Sequence, residues 1–123
     1  MTPEKKVQNS IMDYLKKLDK DGLPVMVERR QAGGFSYKMG IPDLYAVVNG
    51  YHLEIEVKAP GGCLRPMQVK YEMRCHEKNI AYVCADNVDA VKALVEKLLE
   101  KKVWKLYKKV FTFILRYGTM YTG

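Results

Sequence analysis

The sequence predicts an α/β domain in which a mixed β-sheet is flanked by helices. Three observations predict it: apolar stretches of helical period lie towards both ends, four runs of strand length lie between them, and an Asn-Gly pair joins two of those runs. The chain has 123 residues, 48% of them hydrophobic, which suits one domain with a real core.

Each element has a local cause. Residues 3–19 read as a helix: Thr2 can cap it, Pro3 suits its first position, and Val7, Ile11, Leu15 and Leu18 mark one apolar face. Asp21-Gly22 breaks that pattern, and Val25 to Glu28 reads as a short strand. Residues 29–40 read as a Gly-rich basic loop. Strands are expected over 43–48 and 51–58, joined at Asn49-Gly50, the pair favoured by a two-residue type I′ hairpin turn. Ala59-Pro60-Gly61-Gly62 ends the second strand, and Pro66 opens a helix to about Lys78. Ala81 to Ala85 has strand length. Asp86 or Asn87 can cap a final helix whose buried stripe is Val91, Leu94, Val95, Leu98 and Leu99. Residues 103–117 fit both a helical and a strand pattern.

Charge divides the chain unevenly. The formal net charge is +7, yet positions 1–100 hold 15 basic against 14 acidic residues. The six basic residues of positions 101–123 include Lys102, Lys105, Lys108 and Lys109, with no acid among them. We therefore expect a domain over 1–100 and a basic, aromatic extension over 101–123 that packs on the domain or on a second protomer. A polyanionic partner suits that extension, although a solvated helix has the same pattern. No apolar stretch is long enough to span a bilayer, and none follows Lys5 and Lys6 as a signal peptide would. The three cysteines, Cys63, Cys75 and Cys84, lack metal-ligand spacing and read as free thiols of a reducing cytoplasm.

The hairpin carries the chemistry. With Asn49 and Gly50 as its two loop residues, the numbers of every facing pair sum to 99, so Asp43 falls opposite Glu56. Leu44, Ala46, Val48, Leu53, Ile55 and Val57 share the core face; Asp43, Tyr45, Val47, His52, Glu54, Glu56 and Lys58 share the other. Opposed carboxylates repel and need a proton, a lysine or a cation between them. Two close hard oxygens suit Mg²⁺ or Mn²⁺, with water and a substrate phosphate completing the octahedron. Lys58 lies on the same face, two residues on, within reach of that phosphate. Glu54 and His52 lie further back on the strand and read as supporting or structural residues.

These residues resemble the PD-(D/E)xK nucleases: Pro42-Asp43 matches the first half of the pattern and Glu56-Val57-Lys58 the second. Gly40-Ile41-Pro42-Asp43-Leu44, Glu56-Val57-Lys58-Ala59-Pro60-Gly61-Gly62, Leu64 and Gln68 are similar to the VRR-NUC (virus-type replication-repair nuclease) family, as are Glu4 and Gln8; the match runs over roughly 3–100. The resemblance implies a restriction-endonuclease-like fold and a divalent-metal endonuclease acting on DNA, in a bacterial or phage-infected cell. By it Asp43 and Glu56 would be metal ligands, the Val57 carbonyl a third, and Glu4 a neighbour of the metal. Lys58 and Gln68 would orient the nucleophile and the phosphate. Small members are similar to Holliday-junction resolvases, which implies branched or flapped DNA and a homodimer. The tail after about residue 101 has no match in that pattern.

Further positive charges flank the motif. Arg29, Arg30 and Lys38, and Lys70 on the next helix, are candidate phosphate contacts, with Phe35 and Tyr37 interleaved as candidate stacking rings. The alternative reading is a non-catalytic DNA-binding module that uses the basic tail. The complete Asp43, Glu56 and Lys58 set argues against it.

Overall fold

A computed structural model describes residues 1–31, 34–101 and 112–118. Eight elements follow in chain order: α1 (Pro3–Lys20), β1 (Val25–Arg29), α2 (Gly34–Met39), β2 (Leu44–Val48), β3 (Tyr51–Val57), α3 (Pro66–Glu77), β4 (Ala81–Ala85) and α4 (Val88–Leu99). Residues 112–117 form an exposed helical segment. No helix among the described residues is long and apolar enough to cross a membrane.

The four strands form one sheet in the order β1-β2-β3-β4. β1 pairs with β2 and β2 with β3, both antiparallel; β3 and β4 are parallel, joined by the α3 crossover. The hairpin register is the expected one, from Leu44↔Ile55 to Val48↔Tyr51. Asn49 and Gly50 both take positive φ, +53° and +83°, as a type I′ turn requires. Asn49 does more than turn the chain. It is buried, and its Nδ2 donates to the carbonyls of Leu98 (2.8 Å) and Lys101 (2.6 Å), closing the C-terminal end of α4 against the hairpin.

The core lies between the sheet and the pair α1 and α4. Ile11 and Leu15 of α1 and Val91 and Val95 of α4 meet Leu44, Ala46, Val48, Leu53 and Ile55, all fully buried. The caps follow chemistry readable in the sequence: Thr2 accepts from the Lys5 N–H at 3.1 Å, and Asn87 accepts from the Ala90 N–H at 3.1 Å.

One expectation is corrected. The 29–40 stretch is not all loop: β1 runs through Arg29, and Gly34–Met39 form the single-turn helix α2. Gly34, Phe35, Ser36 and Tyr37 are poor helix formers, so nothing local announces it. Tertiary contact holds it instead. Gly40, at φ +70°, packs so close to α3 that a Cβ there would lie 2.3 Å from the Met67 carbonyl oxygen. The polar face of the hairpin is partly covered. α3 brings Gln68 over it, and both Glu54 and Glu56 are only 3% exposed. Lys102, Lys105, Lys108 and Lys109 lie outside the described residues, as does most of the 101–123 extension.

Candidate functional site

A cleft of about 320 Å³ opens where β2 begins and β3 ends, and Glu4, Asp43, Glu56, Lys58 and Gln68 all line it. Asp43 is exposed and directly precedes β2; the Arg30 N–H donates to its carbonyl at 2.8 Å, extending the β1–β2 pairing by one step. Continuing the β2–β3 register by one residue sets Asp43 against Glu56. Glu4 reaches the cleft from the first turn of α1 and is exposed.

Glu56 is the buried member. Gln68, on the first turn of α3, donates from Nε2 to Glu56 Oε1 at 2.5 Å, and its own Oε1 accepts from the Arg65 N–H at 2.8 Å. The amide is thereby fixed in one orientation: a carboxylate can only accept, and a backbone N–H can only donate. Lys58 Nζ lies 3.8 Å from the same Glu56 oxygen. Glu56 Oε2 is buried and has no hydrogen-bond partner among the described residues. Burial, then the charges of Asp43 and Glu4, push the Glu56 carboxyl up to about 7 against the opposing pull of Lys58 and Arg65.

This donor set fits a hard divalent cation. Among the described residues no group of three His, Cys, Asp or Glu side chains is arranged to hold a metal ion. Of the three carboxylates that line the cleft, Asp43 and Glu56 are the pair that the hairpin register sets against each other. Mg²⁺ accepts such a site readily, because it keeps several waters and takes its remaining ligands from substrate phosphate. The unpartnered Glu56 Oε2 is the atom such a cation would satisfy. The Val57 side chain is buried in the core, and Val57 is not among the residues that line the cleft.

Glu54, one side-chain repeat back on β3, has a different environment. Arg30 grips it with two bonds, NH1 to Oε1 at 2.6 Å and NH2 to Oε2 at 2.7 Å, and His52 Nε2 meets Oε2 as well. Arg30 NH1 also donates to the Pro42 carbonyl at 2.8 Å, next to Asp43. Tyr45 packs against both groups, with the Arg30 guanidinium 4.7 Å from its ring centroid and the His52 ring stacked at 5.3 Å. Arg30, expected as a phosphate contact, lines the cleft and is at the same time paired with Glu54. Arg29, Lys38 and Lys70 are exposed, and none of them lines the cleft.

Arg65 escaped the sequence reading. It sits at the N-cap of α3, lines the cleft, and stacks its guanidinium 3.8 Å from the centroid of Tyr37. The one available signal was its place immediately before Pro66, where a helix was expected to begin.

The chain is similar in structure to a solved chain described as a VRR_NUC domain, with a TM-score of 0.62 and 22% identity. The likeness covers 78% of this chain and 97% of that one. No family model and no curated protein matches the chain. The likeness and the sheet topology show a restriction-endonuclease-like α/β fold, a mixed parallel and antiparallel sheet flanked by helices.

Proposed function

We propose that the protein is a divalent-metal-dependent endodeoxyribonuclease that hydrolyses phosphodiester bonds in this cleft. One observation carries the reading: a buried Glu56, tied to Gln68 through one oxygen and unpartnered at the other, shares the cleft with Asp43 and Lys58. A structural carboxylate at that depth would have its hydrogen bonds filled, because an unsatisfied buried charge is costly.

Asp43 and Glu56 would hold Mg²⁺ or Mn²⁺, which when bound polarises the phosphate and helps ionise water. Gln68 holds Glu56 in one rotamer. Lys58, its side chain 15% exposed, presents an ammonium to a non-bridging phosphate oxygen and orients the attacking water. Arg65, which also lines the cleft, adds positive charge there. Glu4 bears on the site through its charge and through water. The resemblance of residues 40–68 to VRR-NUC sequences supports DNA as the substrate and a branched or flapped structure as its form. It also supports a homodimer. The basic composition of 101–123, not the resemblance, suits a separate extension with further phosphate contacts.

The test is a cleavage panel with Mg²⁺ or Mn²⁺ on single-stranded, duplex, flap, splayed-arm and four-way-junction DNA, run on the wild type and on Lys58→Ala. The expected result is metal-dependent cutting. Single-turnover rate should fall roughly 10²-fold in Lys58→Ala, the scale of one lost proton-transfer or charge-stabilising group, with DNA affinity changed far less. A wild type that binds DNA and cuts nothing with either metal returns the protein to the non-catalytic class.

A further inference from the structure

Two large rings stand in solvent beside the cleft. Phe35 is 74% exposed and Tyr37 64%, both on α2, and Tyr37 lines the same cleft as Asp43, Glu56 and Lys58. Exposed aromatic area is costly to leave in water without a use, although one exposed ring alone means little. Tyr37 is also held in place. The Arg65 guanidinium lies 3.8 Å from its ring centroid, within cation–π range, and Arg65 NH2 donates to the Tyr37 carbonyl at 3.2 Å. The helix beneath the ring is pinned as well: the Gly40 N–H donates to the Tyr37 carbonyl at 3.2 Å and the Ile41 N–H to the Ser36 carbonyl at 3.0 Å. Gly40 then seats against the α3 backbone with no room for a side chain. Only Pro42 separates Ile41 from Asp43, so the ring and the carboxylate belong to one short braced segment.

A flat ring in a cleft wall, backed by a cation, suits a nucleobase. Every base has a π-face, and stacking on an aromatic side chain is sequence-tolerant. Paired bases inside a duplex have both faces covered by their neighbours, so only an unpaired or extruded base can use the ring. Arg65 adds a positive charge at the same point for the phosphate of that nucleotide.

We propose that Tyr37, backed by Arg65, is a stacking platform for one unpaired nucleobase beside the scissile phosphate, selecting DNA that has a single-stranded nucleotide at the cut. The inference rests on the nuclease reading of the cleft and adds the feature that chooses the substrate. It assigns substrate choice to the α2 wall, apart from the acidic residues.

The test measures binding without metal, so it does not depend on cleavage. The probe is an oligonucleotide with 2-aminopurine unpaired at a single-strand/duplex junction, beside a blunt duplex carrying the same analogue in a pair. The wild type should quench the unpaired analogue. Tyr37→Ala should lose that quench and bind the junction probe about tenfold more weakly, within the range of one lost base–aromatic stack, while blunt-duplex affinity changes less than twofold. Tyr37→Trp should restore both signals. Far-ultraviolet circular dichroism and light scattering of each variant show that fold and oligomeric state are retained. Equal losses on both probes, an unchanged quench in Tyr37→Ala, or a change of oligomeric state in that variant overturns the platform. If the quench behaves as expected but the wild type cuts no DNA with Mg²⁺ or Mn²⁺, the nuclease reading fails and the binding site stands.

Discussion

Glu54 and Glu56 lie on the same strand and the same face, two residues apart, each 3% exposed. Their surroundings differ completely. Glu54 is bonded by both arms of Arg30 and by His52, so its charge is neutralised where it sits. Glu56 has one neutral donor, Gln68, an ammonium 3.8 Å away and a second oxygen with no partner. Burial makes a carboxylate expensive unless something compensates it, and here the compensation is internal for one residue and incomplete for the other. The contrast separates a carboxylate whose charge is matched within the fold from one whose hydrogen bonds are left incomplete, a distinction the bare residue type does not contain.

Conservative amide substitutions break the comparison most sharply. Glu56→Gln, and Asp43→Asn beside it, should lower metal-dependent cleavage by roughly 10³-fold, since metal charge stabilisation is worth several kcal/mol at tenfold per 1.36 kcal/mol. Neither should reduce stability of the metal-free protein in urea unfolding. Glu54→Gln should do the opposite: a loss of about 3 kcal/mol, because Arg30 is left without its counter-charge, with any loss of activity following the population unfolded. Activity lost in Glu54→Gln at full folding, or stability lost in Glu56→Gln, would reverse the assignment of the two residues.

Gln68→Ala sharpens the contrast at a smaller scale. The amide touches Glu56 and the α3 N-terminus and serves neither Glu54 nor Arg30. Removing a partner that orients a metal ligand costs about 10- to 100-fold in metal affinity, which Mn²⁺ titration calorimetry reads directly. An unchanged Mn²⁺ affinity would make Gln68 a cap and nothing more.

A further effect is in pH. The folded Glu56 carboxyl titrates near 7, above its ordinary value of 4.5, so the folded state binds the proton more tightly than the unfolded state does. That contribution to stability is fully present below about pH 4.5 and is lost as pH rises through about 7. Metal-free wild type should therefore lose stability across this window relative to Glu56→Gln, which has no such group. Mn²⁺ should oppose the loss, binding more tightly as the proton leaves. Chemical denaturation of both proteins from pH 4.5 to 8, with and without Mn²⁺, reads all of this; parallel curves would show that Glu56 does not titrate there.

Much of this was legible along the chain. Thr2, Pro3, Asn49-Gly50, Pro66 and Asn87 act on neighbours a few residues away. The strand period of two then assigns Leu53, Ile55 and Val57 to the core and Glu54 and Glu56 to the other face. Once the two-residue turn is set, the hairpin register follows, and with it the apposition of Asp43 and Glu56. α2 was not legible because its residues are weak helix formers, held by Arg65 and by the seat of Gly40 on α3. The pairing of Arg30, a candidate phosphate contact by sequence, with Glu54 was not legible because the two are 24 positions apart.

What the sequence by itself determined is therefore short-range: the caps, the turn, the strand faces, and the fact that two acids and a lysine meet at one end of a hairpin. Tertiary structure decided which acid is neutralised and which is left open. Arg30 reaches Glu54 across 24 positions, Gln68 reaches Glu56 across 12, and Asn49 reaches Leu98 across 49. Local periodicity carries no information about such pairings. They arise when the sheet and helices pack, because a buried charge must take whatever partner that packing brings within hydrogen-bond reach.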